Sequence, residues 1–332
     1  MQYPSKRFFR RRALSVALAA GAVMATAGMA PAVQAATYPD RPITLIAPFG
    51  AGGGVDNIAR RLAQELSGEL GQPVVVENRP GAGSLVGVNA AIRSAADGYT
   101  VLIADPAYII NSLLTDPAPY DYRKDLKPVS MISRAPYILV ASDAMPGTVE
   151  DIVAEAGKRE NGLTFASAGV GTAAHMTGEL FRMRTGAKLL HVPYRSGNPA
   201  MTDLSAGQVD IVFTTIASAA PYLKQGRAKP IATTGKERSF EHPDLPTLDE
   251  KLKDFEVYFW TSLFVPANTP QEIVDKLEQA AHKVLKHDVM LTTLKEGGNS
   301  PMPMSAEDTK AFIEKEATMW KDVIRKADIK IQ

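Results

Sequence analysis

Pro42-Ile-Thr-Leu-Ile-Ala47-Pro-Phe-Gly-Ala-Gly-Gly-Gly54-Val-Asp56 is an apolar run that breaks into glycines and then into a helical pattern. Residues 42–47 read as a buried strand. Val55 to Leu70 reads as a helix with Ala59, Leu62, Leu66 and Leu70 on one face. The alternation continues outward. Pro73-Val-Val-Val-Glu77 is a second strand, Leu85 to Ser94 a short helix and Tyr99-Thr-Val-Leu-Ile103 a third strand. This succession belongs to the α/β class, a mostly parallel sheet flanked by helices.

A second series begins at Tyr137-Ile-Leu-Val-Ala141. Thr148-Val-Glu-Asp151 resembles a capping box and opens a helix to about Arg159. Strands follow at 163–166, 189–192, 209–213 and 229–233. Helices are expected at about 173–184 and 198–205, with another starting at Pro221. Thr269-Pro-Gln-Glu272 marks a further helix start, and a last helix spans about Ala306 to Arg325. With no flexible linker between the two series, a hinged pair of α/β domains is expected.

The length of 332 residues suits two domains of ~150. Hydrophobic residues at 45% and charged residues at 22% argue against a disordered chain or a polytopic membrane protein. With no cysteine, disulfides, thiolate catalysis and Cys-ligated zinc are excluded. The 37 Lys and Arg and 36 Asp and Glu sum to +1, which excludes a basic nucleic-acid binder, but they are unevenly placed. Residues 1–35 hold Lys6, Arg7, Arg10, Arg11 and Arg12 and no acid. An Ala-rich apolar run and Val33-Gln-Ala35 follow. This is the pattern of a secretory signal peptide, with cleavage expected after Ala35 and export by the Sec or the twin-arginine route. The chain from Ala36 then carries 32 basic and 36 acidic groups, a net −4 outside the cytoplasm.

Three strand-to-helix turns could carry chemistry. In the first, Phe49, Gly50, Ala51, Gly52 and Gly53 let backbone amides approach a ligand, and Asp56 is placed to cap the helix. A dinucleotide fingerprint fails because Val55 occupies its third glycine position, and no Gly-Lys-Ser/Thr follows for a phosphate loop. The second turn is Glu77-Asn-Arg-Pro-Gly-Ala-Gly-Ser84, where Ser84 can donate a hydrogen bond. The third holds Ser167, Ala168, Gly169, Gly171, Thr172 and His175. It is not a nucleophile elbow, since Phe165 replaces the first glycine. The five histidines form no metal-binding pair. Such turns gather at the carboxyl ends of strands and face a shared crevice, so a binding cleft is favoured over a catalytic one.

Tyr38-Pro-Asp-Arg-Pro-Ile-Thr-Leu-Ile-Ala-Pro-Phe49, Val76-Glu-Asn-Arg-Pro-Gly-Ala-Gly83, Asp97-Gly-Tyr-Thr100, Phe165-Ala-Ser-Ala-Gly-Val-Gly171, His191-Val-Pro-Tyr194, Gly207-Gln-Val-Asp210 and Pro243-Asp-Leu-Pro-Thr247 follow one another in order. Together they resemble the Bug-type substrate-binding receptors of tripartite tricarboxylate transporters. The resemblance implies a two-domain periplasmic-binding-protein fold of type II kind, closing around a small organic carboxylate. It implies a division into domain 1 at 36–136 plus 257–332 and domain 2 at 137–256. It further implies membrane permease subunits as partners, no cofactor, no nucleic acid and no enzymatic activity. Carried over, the ligand is held by Phe49 to Gly54 with Asp56 and by Ser167 to Thr172 with His175. Thr214, Thr215 and Ile216 reach the cleft from the loop after Phe213.

The chain departs from the family pattern after the third strand, at Ala104-Asp-Pro-Ala-Tyr108. Asp105 either brings a negative charge to the cleft, favouring an amine or hydroxyl, or caps the next helix. Tyr108 stacks on an aromatic ligand or packs against the lid. Two other functions share this fold class: a sensing module for a membrane sensor kinase, and a secreted α/β enzyme.

Overall fold

A computed structural model describes residues 38–327 and 329. The signal peptide expected over 1–35 lies outside the described residues. The first series forms as expected: β1 (Ile43–Ala47), α1 (Gly54–Leu70), β2 (Val74–Asn78), α2 (Leu85–Ile92) and β3 (Thr100–Ala104). Helix α1 buries Ile58, Ala59, Leu62, Ala63, Leu66 and Leu70, and stops at Gly71. That glycine takes the left-handed conformation, and its N–H bonds the Ser67 carbonyl.

Between 104 and 141 the chain forms α3 (Ala107–Leu114) and the long strand β4 (Leu126–Ala141). The strand expected from Tyr137 is only the last part of β4. Its first part carries Lys127, Pro128, Ser130, Ser133, Arg134 and Pro136, which hide the strand pattern. Then come α4 (Val149–Lys158), β5 (Leu163–Ser167), α5 (Ala173–Thr185), β6 (Leu189–Pro193), α6 (Gly197–Ser205), β7 (Ile211–Thr215), α7 (Ile216–Lys224) and β8 (Lys229–Thr233). Thr148 does cap α4, accepting from the Asp151 amide at 3.2 Å. Helix α7 begins at Ile216 and carries Pro221 inside it, five residues after the start rather than at it.

The chain ends with β9 (Tyr258–Pro266), α8 (Gln271–Val284), α9 (Asp288–Glu296), β10 (Ser300–Met304) and α10 (Ala306–Ala327). The expected Thr269 cap of α8 is not made. Its hydroxyl donates to the Pro266 carbonyl instead, and the helix starts after Pro270. Strand β9 is buried almost throughout, so it shows no alternation for a sequence reading to catch.

The strands run in the order β2-β1-β3-β9-β4-β7-β5-β6, with β8 and β10 also paired to β4. The β2-β1-β3 and β6-β5-β7 sets are parallel, whereas every pair involving β4 or β9 is antiparallel. The sheet is therefore mixed, more so than the eight strands read from the sequence imply. Strand β4 changes partners along its length. Residues 126–136 pair with β9 and in part with β10, while 137–141 pair with β7 and β8.

Each side has its own core. Trp260, Phe264, Tyr108, Tyr120, Met131 and Ile313 pack on the first side. Ile138, Val140, Met201, Leu204, Val212 and Ile216 pack on the second. Burying such a side chain contributes roughly 1.5–3 kcal/mol, so each side can hold its parallel strands in register.

Candidate functional site

The turns singled out in the sequence sit at the carboxyl ends of the parallel strands of both sets. Two of them, the turns after β2 and β5, approach each other closely. Gly83, on the turn after β2, has φ +62, and a Cβ there would lie 3.2 Å from the Val170 carbonyl oxygen on the turn after β5. A glycine is needed for both the backbone angle and the approach.

The turn after β1 is built around Asp56, which is 1% exposed. Its Oδ2 accepts from the Gly52 amide and from Arg60 Nε, each at 2.9 Å. Its Oδ1 accepts from Asn78 Nδ2 at 2.7 Å, and that amide also donates to the Phe49 carbonyl at 3.1 Å. Burial pushes the Asp56 carboxyl up, but the bonds from Arg60, Gly52 and Asn78 outweigh it and hold it below its ordinary value. Asp56 is thus the internal brace of the turn. Gly53, not Asp56, stands at the cap position, and the carboxylate reaches back to Gly52. Phe49, Gly50, Ala51, Gly52 and Gly53 are shaped by this brace, and the first-turn amides of α1 have no helical carbonyl to bond.

The turn after β5 has a comparable brace. Thr172 caps α5, accepting from the His175 amide at 3.3 Å and donating to the Gly169 carbonyl at 2.7 Å. Ser167 Oγ lies 2.7 Å from His191 Nε2 and accepts from the Gly169 amide at 3.2 Å. Ser167 is fully buried, so its hydroxyl serves the turn. His175 Nδ1 accepts from the Gly171 amide at 3.4 Å, which leaves its proton on Nε2, 3.9 Å from Glu179 Oε1. The His175 and His191 rings stack with centroids 4.0 Å apart, and Phe165 stacks on His191 at 4.7 Å. Burial pushes His175 down to about 4. Burial, and then the neighbouring His175, push His191 down to about 3. Both rings are neutral at pH 7. Ala168 and Gly169 are partly exposed, while Gly171 and Thr172 are buried.

The remaining candidates divide. Thr214 is 3% exposed, and Thr215 caps α7 by accepting from the Ser218 amide at 3.4 Å. Ile216 belongs to the second core. Ser84 is 2% exposed and held in a left-handed turn at φ 88, with Asn111 donating to the adjacent Gly83 carbonyl. Asp105 Oδ1 accepts from the Ala107 amide at 2.9 Å, so it does brace the start of α3. Burial pushes it up to about 7, only partly offset by that amide. It therefore holds its proton to a higher pH than an ordinary carboxyl, which weakens the repulsion expected of a fixed charge. Tyr108 is 1% exposed; its hydroxyl donates to the Tyr122 carbonyl at 2.8 Å and its ring stacks on Tyr120. The geometry places Tyr108 in the core and corrects its assignment to a ligand surface.

Asn78, Arg60, Asn111 and His191 organise the site and were not among the expected residues. The Asp56–Arg60 spacing of four on a helix was the readable signal. The other partners come from distant segments. No Lys or Arg is among the expected site residues; the groups these turns present are backbone amides and the N-termini of α1, α5 and α7.

Residues 58–329 match the tripartite tricarboxylate transporter family receptor. The chain belongs to this receptor family. It is 34% identical to the protein BugT of Bordetella pertussis (strain Tohama I) over 316 residues, 94% of this chain and 97% of the relative. The solved structure of periplasmic binding protein BugD matches with a TM-score of 0.81 at 31% identity, covering 89% of this chain and all of the other. The R. palustris protein Rpa4515, solved with adipate, matches at a TM-score of 0.83 and 31% identity over 88% of this chain and 99% of the other. MatC from Rhodopseudomonas palustris, solved with bound malate, matches at 0.80 and 30% over 86% and 100%. The receptor has the two-domain fold of periplasmic binding proteins, and its family and fold are those of solute-binding receptors.

Proposed function

We propose that this receptor captures a small organic carboxylate between two lobes and delivers it to a tripartite tricarboxylate-type membrane permease. The carrying observation is the pair of braced turns after β1 and β5 together with three helix N-termini, which favour an anion through amides. Adipate and malate in structures of similar receptors support the ligand class. The lobes are 36–136 plus 257–332 and 137–256; the change of partners in β4 between Pro136 and Tyr137 supports the first boundary. Export by the signal sequence places the mature chain, from Ala36, in the periplasm. The cleft performs no chemistry. Its one nucleophile–base pair, Ser167 with His191, has a fully buried hydroxyl committed to the turn.

Isothermal titration with malate, adipate, succinate, citrate, aspartate and benzoate tests the ligand class. At least one dicarboxylate is expected to bind with one-to-one stoichiometry. Absence of binding by every member sinks the reading.

A further inference from the structure

The N-terminus of α6 follows β6 at the carboxyl end of the second parallel set, beside the turn after β5. The Tyr194 amide donates to the Ser167 carbonyl at 3.1 Å, and a Cβ on Gly169 would lie 3.1 Å from the Tyr194 carbonyl oxygen. Ser196 stands at the cap position of α6 with an extended backbone, but its side chain makes no cap bond. Pro199, in the first turn, has no N–H. The amides of Gly197 and Asn198 are therefore left with neither a helical carbonyl nor a capping side chain.

Two hydroxyls lie against this helix end. A Cβ on Gly197 would lie 2.6 Å from Thr214 Oγ1 and 2.9 Å from Ser218 Oγ, so only glycine lets α6 come so near. Thr214 is 97% buried, being 3% exposed. Its Oγ1 has no hydrogen-bond partner among the described residues, yet it is not sealed from solvent as Thr233 Oγ1 is. It is thus a reachable donor without an acceptor. Ser218 Oγ accepts from Thr215 Oγ1 at 3.1 Å, which leaves its own proton to donate. A polar group held as deep as Thr214 without a partner is costly, and what this helix end lacks is an acceptor. A carboxylate is acceptor-only, with two oxygens and about four lone-pair sites, which suits two hydroxyls and two amides.

We infer that the gap between the N-termini of α6 and α7 is a subsite for the second carboxylate of the ligand, so that the receptor selects diacids over monoacids. Thr214 and Ser218 donate from the α7 side, and the Gly197 and Asn198 amides from the α6 side, where the positive helix end adds to the attraction. The inference rests on the carboxylate-receptor reading and deepens it, since it defines the ligand class by a second acidic group.

The test is calorimetric titration of the mature receptor with succinate, malate and adipate and with their matched monoacids butyrate, 3-hydroxybutyrate and hexanoate. In the wild type at least one diacid is expected to bind about tenfold or more tightly than its monoacid. Thr214→Val keeps the shape and removes the hydroxyl. It should lose about tenfold for that diacid and shrink the diacid-to-monoacid ratio by the same factor, and Thr214→Ser should restore most of the loss. Ser218→Ala should shrink the ratio as well. The subsite is overturned, with the carboxylate reading left standing, if Thr214→Val binds the diacid as wild type does, if it loses diacid and monoacid equally, or if wild type binds each monoacid as tightly as its diacid. No isotherm from any of these acids would sink the carboxylate reading itself and the subsite with it.

Discussion

Asp56 and Asp105 are both buried carboxylates that follow parallel strands, and their surroundings drive them in opposite directions. Asp56 is depressed, so it contributes stability above the unfolded carboxylate value that is lost as pH falls through its folded value. Asp56→Asn should cost roughly 1.5–3 kcal/mol in denaturant unfolding at pH 7 and weaken ligand binding, because Gly52 and Arg60 lose a charged acceptor. An unchanged midpoint and affinity would show that the brace is dispensable. Asp105 is raised to about 7, so the folded state holds the extra proton and stability falls as pH rises from ~4 toward 7. Asp105→Asn should flatten that decline, giving a higher melting temperature than wild type at pH 8. The same substitution should remove a loss of dicarboxylate affinity between pH 6 and 8, since ionised Asp105 repels a second carboxylate. Equal pH profiles in calorimetry would refute that coupling.

At the scale of elements, α5 and β6 share the stacked imidazoles that support the Ser167–Thr172 turn. Both are depressed below the ~6.5 of a free imidazole, so their stabilising effect is complete above that value and declines as pH falls toward 4 and then 3. His191→Gln keeps a partner for Ser167 but cannot take up this proton. It should unfold with a shallower acid dependence between pH 6 and 4 than wild type, followed by circular dichroism; parallel curves would exclude the pair as the source. The elements also separate what could be read in the chain from what could not. The parallel strands β1, β2, β3 and β5, with α1 and α4, announce themselves by apolar runs, periodicity and caps. Strands β4 and β9 do not, because β4 is interrupted by Pro128, Ser130, Ser133 and Pro136, and β9 is buried on both faces. The turns of the site were legible because glycines cluster in them. Their braces were not, since Asn78 reaches Asp56 across 22 positions and His191 reaches Ser167 across 24.

Across the whole molecule, the two proposed lobes approach at a glycine in two places, Gly83 against Val170 and Gly298 against Ile216. Gly298→Val should prop the lobes apart, enlarging the radius of gyration in small-angle scattering with ligand bound and lowering ligand affinity about tenfold. Scattering and affinity identical to wild type would show that the contact does not govern closure. Strand β4 has another consequence. Because one continuous strand carries the pairing of both proposed lobes, the facing of residues 137–141 is set by the register in which the strand leaves the first. Inserting or deleting one residue at 136/137 would leave the first lobe intact and turn Ile138 and Val140 out of the second core. Changes of chain length here should therefore be tolerated only in steps of two, whereas the exposed tips of the same sheet accept either parity.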